Sequence, residues 1–585
     1  MLIDRYIYIV LFTTLTLFGQ SLNKESQPVK VQKDSLKSVK KWEKKNEIVF
    51  SNDEDTQAYI NMLKNVLGRV KENYVDSINE SEIIKSGIKG MMKPLDPYTK
   101  FLSGSSKDRL DELRTGKYGG IGIQIGLRRD TLTVLRAFEN SPAYSEGLHS
   151  GDQIIMIDSI STYGMTLKDA SKQIKGELGS VVNLTIYRRS ERKKILFELT
   201  RSNITIKHVP YWGVDENGIG YIRITKFSKN TAKDFSIAIR ELKDLGMLGL
   251  VIDLRSNSGG LLNNAINILD KLTDRGVNLL NTKGRIKKSN KKINSRRIPI
   301  ISEEIPIAVL INQSSASASE IVSGALQDLD RAVIVGTKSF GKGLVQSMYN
   351  LNDTTTIKVT TAKYYIPSGR LIQKEDYLNN GFLTDGLDKK DSLFYTRGGR
   401  EVKGGGGITP DVEIKQKKLP PFVRGLWKEG VFLTFAADYI ASNKLESPII
   451  INEKIYRDFQ LFLKDYSIKY TLPGEADLKK LKDILIKENV RNSNSFINNL
   501  IFWNKKNNNL TKRIDNYYLK KRENVFNDKE NRKWIINGLL RELSLVSSGE
   551  EEKIRVSLYE DNIYQEAKAI LLDLNRYYKI FEPEK

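Results

Sequence analysis

Cysteine is absent from the 585 residues, which removes disulfides, thiolate metal sites, a cysteine nucleophile and a lipid-bearing N-terminal cysteine together. Histidine is nearly absent. Only His149 and His208 occur, so a multi-histidine metal site has no ligands, and a Ser-His-Asp triad would have to use one of these two. Long apolar runs are also missing. The N-terminal stretch Ile7–Phe18 falls short of the about 20 residues a spanning helix needs. It has the length of a signal-peptide core and is followed by the small and polar residues Gly19, Gln20 and Ser21. Residues 1–20 therefore read as a signal peptide or an anchor. Either reading expects export to the periplasm or cell envelope, and an anchor would add membrane association through the N-terminus.

Hydrophobic residues make up 39% and charged residues 28% of the chain, which expects a globular protein with several domains. The net charge of +23 raises the question of nucleic acid. The densest basic run, Lys283–Arg297, has no apolar periodicity and no interleaved aromatics on which bases could stack, so it reads as a solvated loop and no nucleic-acid partner is expected.

Along the chain, residues 21–54 are polar, lysine-rich and aperiodic, a flexible tether. Residues 55–104 carry apolar positions at helical spacing (Ile60, Leu63, Val66, Leu67, Val70; then Ile83, Ile84, Ile88, Met91), which predicts two helices, the second starting at Ser81 and Glu82. Residues 105–203 alternate in short runs and predict a small β-rich domain. In residues 204–414 strands alternate with helices, an α/β region. Residues 415–585 turn largely helical and basic. They carry no recognisable chemical motif.

Three segments of the α/β region carry chemistry. The strand Ile307–Ile311 leads through Ser314, Ser315, Ser317 and Ser319 into an apolar-periodic helix. A serine at such a junction sits beside free backbone N–H groups and the positive end of a helix dipole, which favour the oxyanion of acyl transfer. Taken alone, the segment reads first as serine capping of a helix and only second as a nucleophile turn. In the second segment, Lys342 lies between Gly341 and Gly343 beside apolar residues. Glycines allow close backbone approach, and burial can lower a lysine pKa from about 10.4 to roughly 7 or 8, where it can act as a base. The third, Val251–Gly260, is a buried strand ending in a polar turn with paired glycines, able to aim N–H groups at a ligand oxygen.

In this order and spacing the segments resemble the C-terminal processing peptidases, or tail-specific proteases. Leu95–Leu102 looks like that family's segment before its PDZ domain, Ala316–Glu320 its nucleophile motif, Phe340–Gly343 its lysine motif, and Gly405–Val412 the end of its catalytic core. The resemblance implies an α/β core of the crotonase/ClpP-like type with an inserted PDZ domain and helical N- and C-terminal regions. It makes Ser317 the nucleophile, Lys342 the general base, and Gln346 a support for the lysine. Ser315 and Ser319 are near neighbours of the same chemistry, so the choice of serine rests on the family register. The amides of Ala318 and of Gly259 or Gly260 would form the oxyanion hole. No metal and no cofactor are implied.

Tyr118–Ile123 resembles the carboxylate-binding loop of PDZ domains, with Gly120, Ile121, Gly122 and Ile123 expected to hold a substrate C-terminus as an added strand. A dinucleotide fingerprint is superficially similar there, but no strand-turn-helix unit surrounds it. The implied function is an exported endopeptidase acting on proteins with apolar C-termini, its PDZ domain also gating the site; for the C-terminal region, self-association, docking of an adaptor and covering of the active site stay open. The alternatives are an inactive PDZ scaffold, which would normally have lost one of Ser317, Lys342 and Gln346, and an acyl-CoA hydratase, against which the PDZ-like insertion and the export signal speak.

Overall fold

The computed structural model describes residues 54–374, 393–491 and 512–583, so the expected signal peptide (1–20) and nearly all of the tether lie outside the described residues. Among the described residues no helix is long and apolar enough to cross a membrane. The described residues form two compact units, 54–110 with 345–362, and 111–344 with 363–374, 393–491 and 512–583.

In the first unit the two expected helices are Glu54–Asn73 and Glu80–Met92. The second starts before the predicted Ser81, because the Asn79 side chain accepts from the Glu82 amide and caps the helix. Asp96 then folds the Pro-flanked turn on itself, its carboxylate accepting from the amides of Tyr98 and Thr99 at 2.7 and 2.8 Å. The following strand, Lys100–Ser103, pairs antiparallel with residues 355–358 of the strand Thr355–Tyr365.

The second unit contains the β-rich domain. Five strands (Ile123–Arg128, Thr131–Ala137, Gln153–Ile157, Val181–Arg188 and Lys193–Thr200) pair antiparallel, and their alternating residues Val134, Ile154, Val182, Leu184 and Ile186 bury one core with Ala170 and Ile174 of the helix Leu167–Ile174. Lys117–Gly120 pairs antiparallel with Ser202–Thr205, so the chain enters and leaves this domain side by side, as an insertion requires.

The same unit contains a six-stranded sheet ordered Tyr211–Val214, Ile219–Arg223, Gly249–Asp253, Ile307–Ile311, Val333–Gly336 and Val412–Glu413, parallel except at the first pair. Its central strands are buried throughout, which explains their unbroken apolar sequences. Helices Thr231–Asp244, Leu262–Leu269 and Ala318–Asp328 intervene between the strands. The apolar face formed by Ile219, Tyr221, Val251, Leu310 and Val333 is covered from the far end of the chain by Ile563, Ala567, Ile570, Leu571 and Tyr577. The last helices, Asn562–Leu572 and Leu574–Lys579, thus complete the α/β layers. The rest of the C-terminal region has its own core around Phe432, Phe435, Phe459, Ile535 and Leu539. It meets the β-rich domain through ion pairs, Arg129 with Glu429 and Arg189 with Asp438.

The basic run corrects the expected loop. Asn278–Lys283 and Lys291–Asn294 form a hairpin whose first strand also pairs with residues 363–365. Its second strand is largely exposed, so lysines can occupy it with their charges in water, and they also protect the sheet edge.

Candidate active site

The three chemical segments of the sequence follow three adjacent parallel strands, Gly249–Asp253, Ile307–Ile311 and Val333–Gly336, at their C-terminal ends. Open α/β sheets present their sites there, because the turns leaving the strands converge on one edge.

Ser317 caps the helix Ala318–Asp328 with φ 56° and ψ −112°, a backbone conformation that L-residues rarely adopt. Such a conformation costs on the order of 1–3 kcal/mol and persists only where surroundings impose it. The imposing group is Glu320. Its carboxylate, fully buried, accepts from the amides of Ser317 (2.7 Å), Gly341 (2.6 Å) and Lys342 (2.9 Å) and from the Ser339 hydroxyl (2.5 Å). Burial pushes this carboxyl above the ordinary glutamate value, and the four donors oppose the shift by favouring the anion. Tyr364 makes a second link. Its hydroxyl donates to the Lys342 carbonyl and lies 3.2 Å from that of Ser317. The serine turn and the lysine loop are therefore bound together twice.

Both glycines around Lys342 are required. A Cβ on Gly341 (φ 90°) would lie 2.7 Å from the Lys374 side chain, and one on Gly343 would lie 2.8 Å from the Gln373 amide nitrogen. Lys342 itself is half-buried between these buried neighbours.

The neighbouring serines separate cleanly. Ser315 and Ser319 are fully buried, and their hydroxyls donate to the carbonyls of Leu254 and Asn257, each at 2.8 Å. Ser317 is half-buried. The glycine turn abuts it, since a Cβ on Gly259 would fall 2.8 Å from Ser317 Cβ and 3.0 Å from the Ala318 nitrogen. The two glycines differ in their amides. That of Gly259 donates to Asn257 Oδ1 at 2.9 Å, whereas those of Gly260 and Ala318 have no acceptor among the described residues. Gly260 (φ 150°) is also fixed sterically, because a Cβ there would fall 2.1 Å from the Phe227 carbonyl oxygen.

Gln346 falls in the first unit, half-buried on the strand Leu344–Asn350. The histidines make their hydrogen bonds outside these segments. The His208 carbonyl accepts from the Thr225 amide, and the His149 amide donates to Asp152. Burial, with Lys226 adding to it, pushes the His208 imidazole down to about 4.

In the β-rich domain Gly120 ends one strand and Ile123 begins the next. Between them, the carbonyls of Ile121 and Gly122 accept from the amides of Ala143 (3.0 Å) and Phe138 (2.8 Å). Gly122 has φ 78°, and a Cβ there would lie 2.2 Å from that of Ser141, so only glycine fits this turn. The sequence reading missed the linking roles of Glu320, Asn257 and Tyr364. Glu320 was findable, since Ser317 and Glu320 stand in the capping-box spacing, serine followed three residues later by glutamate. Tyr364 leaves no local signal.

Comparison with known proteins finds peptidases and PDZ domains. The profile described as peptidase family S41 matches residues 218–382, that of the PDZ domain residues 133–188, and that of a probable PDZ-protease C-terminal helical domain residues 422–571. A carboxy-terminal-processing protease of Bartonella bacilliformis is 35% identical over 330 residues, 56% of this chain and 75% of that protein. The carboxy-terminal processing protease CtpB of Bacillus subtilis is 31% identical over 52% of this chain and 64% of its own length. Among solved structures, the photosystem II D1 C-terminal processing protease is 27% identical, covering 60% of this chain and 92% of that one with a TM-score of 0.33.

Proposed function

This chain belongs to peptidase family S41, the carboxy-terminal processing serine proteases, and from that premise we propose that it is an exported endopeptidase that captures protein C-termini and cleaves the captured chain through Ser317 and Lys342. One observation carries the reading. The half-exposed serine, held at positive φ on a helix N-terminus, faces a glycine turn and is joined to the lysine loop through Glu320 and Tyr364.

In this mechanism Ser317 Oγ attacks the peptide carbonyl while the Lys342 amine takes its proton and passes it to the leaving nitrogen. Water then attacks the acyl-enzyme with Lys342 again as base. The family resemblance gives Gln346 the part of supporting the lysine. The amides of Ala318 and Gly260 stabilise the tetrahedral oxyanion, and Gly259 shapes the turn, since its own amide is already used by Asn257. The loop Gly120–Ile123 receives the substrate's terminal carboxylate, and an apolar last residue adds affinity. Peptide binding there closes the PDZ domain over the site and so gates it.

The family's resemblance further supports a crotonase/ClpP-like core over residues 204–414, a PDZ domain over 105–203, helical segments at 55–104 and 415–585, and location in the periplasm or cell envelope through residues 1–20. The C-terminal region would serve self-association or an adaptor.

The test is digestion of one loosely folded protein with an apolar C-terminus, supplied with a free carboxylate and as its C-terminal amide. The free form should be degraded several-fold faster. Equal rates would remove C-terminal recognition, and no cleavage of either would favour a binding protein.

A further inference from the structure

Beside the oxyanion turn lies a buried charge cluster that the mechanism above does not use. Asp253, fully buried at the end of its strand, accepts from the Tyr221 hydroxyl at 2.7 Å and pairs with both Arg223 and Arg255. One carboxylate thus faces two guanidinium groups. The balancing anion comes from 306 residues further along the chain, where Asp561 receives Arg255 at 2.9 Å on Oδ1 and 2.6 Å on Oδ2. Two buried or half-buried cations and two anions then close the cluster. Removing one member leaves an uncompensated charge.

Arg255 is the first residue of the turn that contains Gly260. Its amide donates to Asp253 at 2.9 Å and its carbonyl accepts from Arg223 at 2.9 Å. Ser256 follows at φ 60°, its amide on Asn312 Oδ1, and the Asn257 carbonyl accepts from the Ala316 amide of the serine turn. Any shift of Arg255 is therefore passed within a few residues to the Gly260 amide and to the serine turn.

We infer that Asp561, supplied by the C-terminal helices, is a positioning residue for the peptidase reaction: by holding Arg255 it fixes the turn that presents the Gly260 amide to the reacting carbonyl. This rests on the oxyanion role proposed above. It gives the C-terminal helices a part in catalysis, in addition to covering the sheet.

Asp561 also caps the helix Asn562–Leu572, accepting from the amides of Ile563 and Tyr564, so an alanine there would mix two effects. Asp561→Asn keeps a good cap and removes the charge. In the full chain this variant should have a lower thermal midpoint, because Arg255 loses its balancing charge, but at a temperature where it stays folded it should keep its KM for a peptide substrate while kcat falls roughly ten- to hundredfold, the scale of a misplaced reacting group. Inhibition by a peptide aldehyde, whose carbonyl carbon bonds to Ser317 Oγ and whose oxygen then occupies the oxyanion position, should weaken by a similar factor. Binding of the uncleaved peptide to the Ser317→Ala form should not change. Arg255→Gln should show the same pattern, and Asp561→Asn should add little to it.

Unchanged kcat and aldehyde inhibition in Asp561→Asn would overturn the inference, as would losses that merely follow the unfolded fraction. A parent enzyme that neither cleaves nor binds the aldehyde would instead refute the dyad reading, and the inference with it.

Discussion

Replacing Glu320 by glutamine tests the claim that one buried carboxylate assembles the site. Its Oε2 accepts from the Ser317 and Lys342 amides, and its Oε1 from the Gly341 amide and the Ser339 hydroxyl. A glutamine retains one acceptor oxygen and turns an NH2 toward the other pair. Ser339 Oγ already accepts from the Ile408 amide at 2.7 Å, so it is poorly placed to receive a second donor. Two charge-assisted hydrogen bonds are lost at roughly 1.5–3 kcal/mol each. The loss is partly offset because an amide is cheaper to bury than the anion, whose protonation burial already favours. The net expectation is a destabilisation of about 3 kcal/mol, read from the denaturant midpoint at unchanged m-value. At a temperature where the variant stays folded, kcat should still fall at least about tenfold, because Ser317 and Lys342 lose their common anchor. A variant within about 0.5 kcal/mol of the parent, as for a surface substitution, would refute this account of the site.

Two further outcomes follow. Gly122→Ala forces a Cβ into Ser141 at positive φ, so it should weaken binding of a C-terminal peptide about tenfold or more by titration, while kcat on a short peptide that bypasses the PDZ domain changes little. His208 is held neutral by burial and by Lys226, its pKa lowered to about 4, so the unfolded chain takes up this proton first and stability is lost as pH falls from about 6.5 toward 4. Comparing the parent with His208→Gln isolates that term. The parent's stability relative to the variant should decline by up to about 3 kcal/mol between pH 7 and pH 4, and parallel pH profiles would exclude it.

Much of the fold was legible because its elements satisfy local rules. The buried strand Ile307–Ile311 has the bounds that its apolar run predicts. The family resemblance, resting on Ala316–Glu320 and Phe340–Gly343 for the peptidase and on Tyr118–Ile123 for the PDZ domain, identified both. What stayed hidden depends on distance along the chain. Nothing near Asp561 reveals that it meets Arg255, and nothing near Tyr577 reveals that its ring covers the sheet. The strand Lys291–Asn294 was missed because its residues face water and carry charge, leaving no apolar alternation to read. The serine choice and the glycine choice were open for a related reason. Sequence shows four serines and two glycines of equal chemistry, and it does not reveal that the hydroxyls of Ser315 and Ser319 and the amide of Gly259 are taken up by hydrogen bonds.

The most direct test of the central claim is turnover of a peptide with an apolar C-terminus by the chain lacking residues 1–20, beside its Ser317→Ala and Lys342→Ala variants, each first shown to be folded and to bind the PDZ peptide. The account predicts cleavage by the parent and a loss of several orders of magnitude in both variants. Parent-like cleavage by either variant would contradict the dyad.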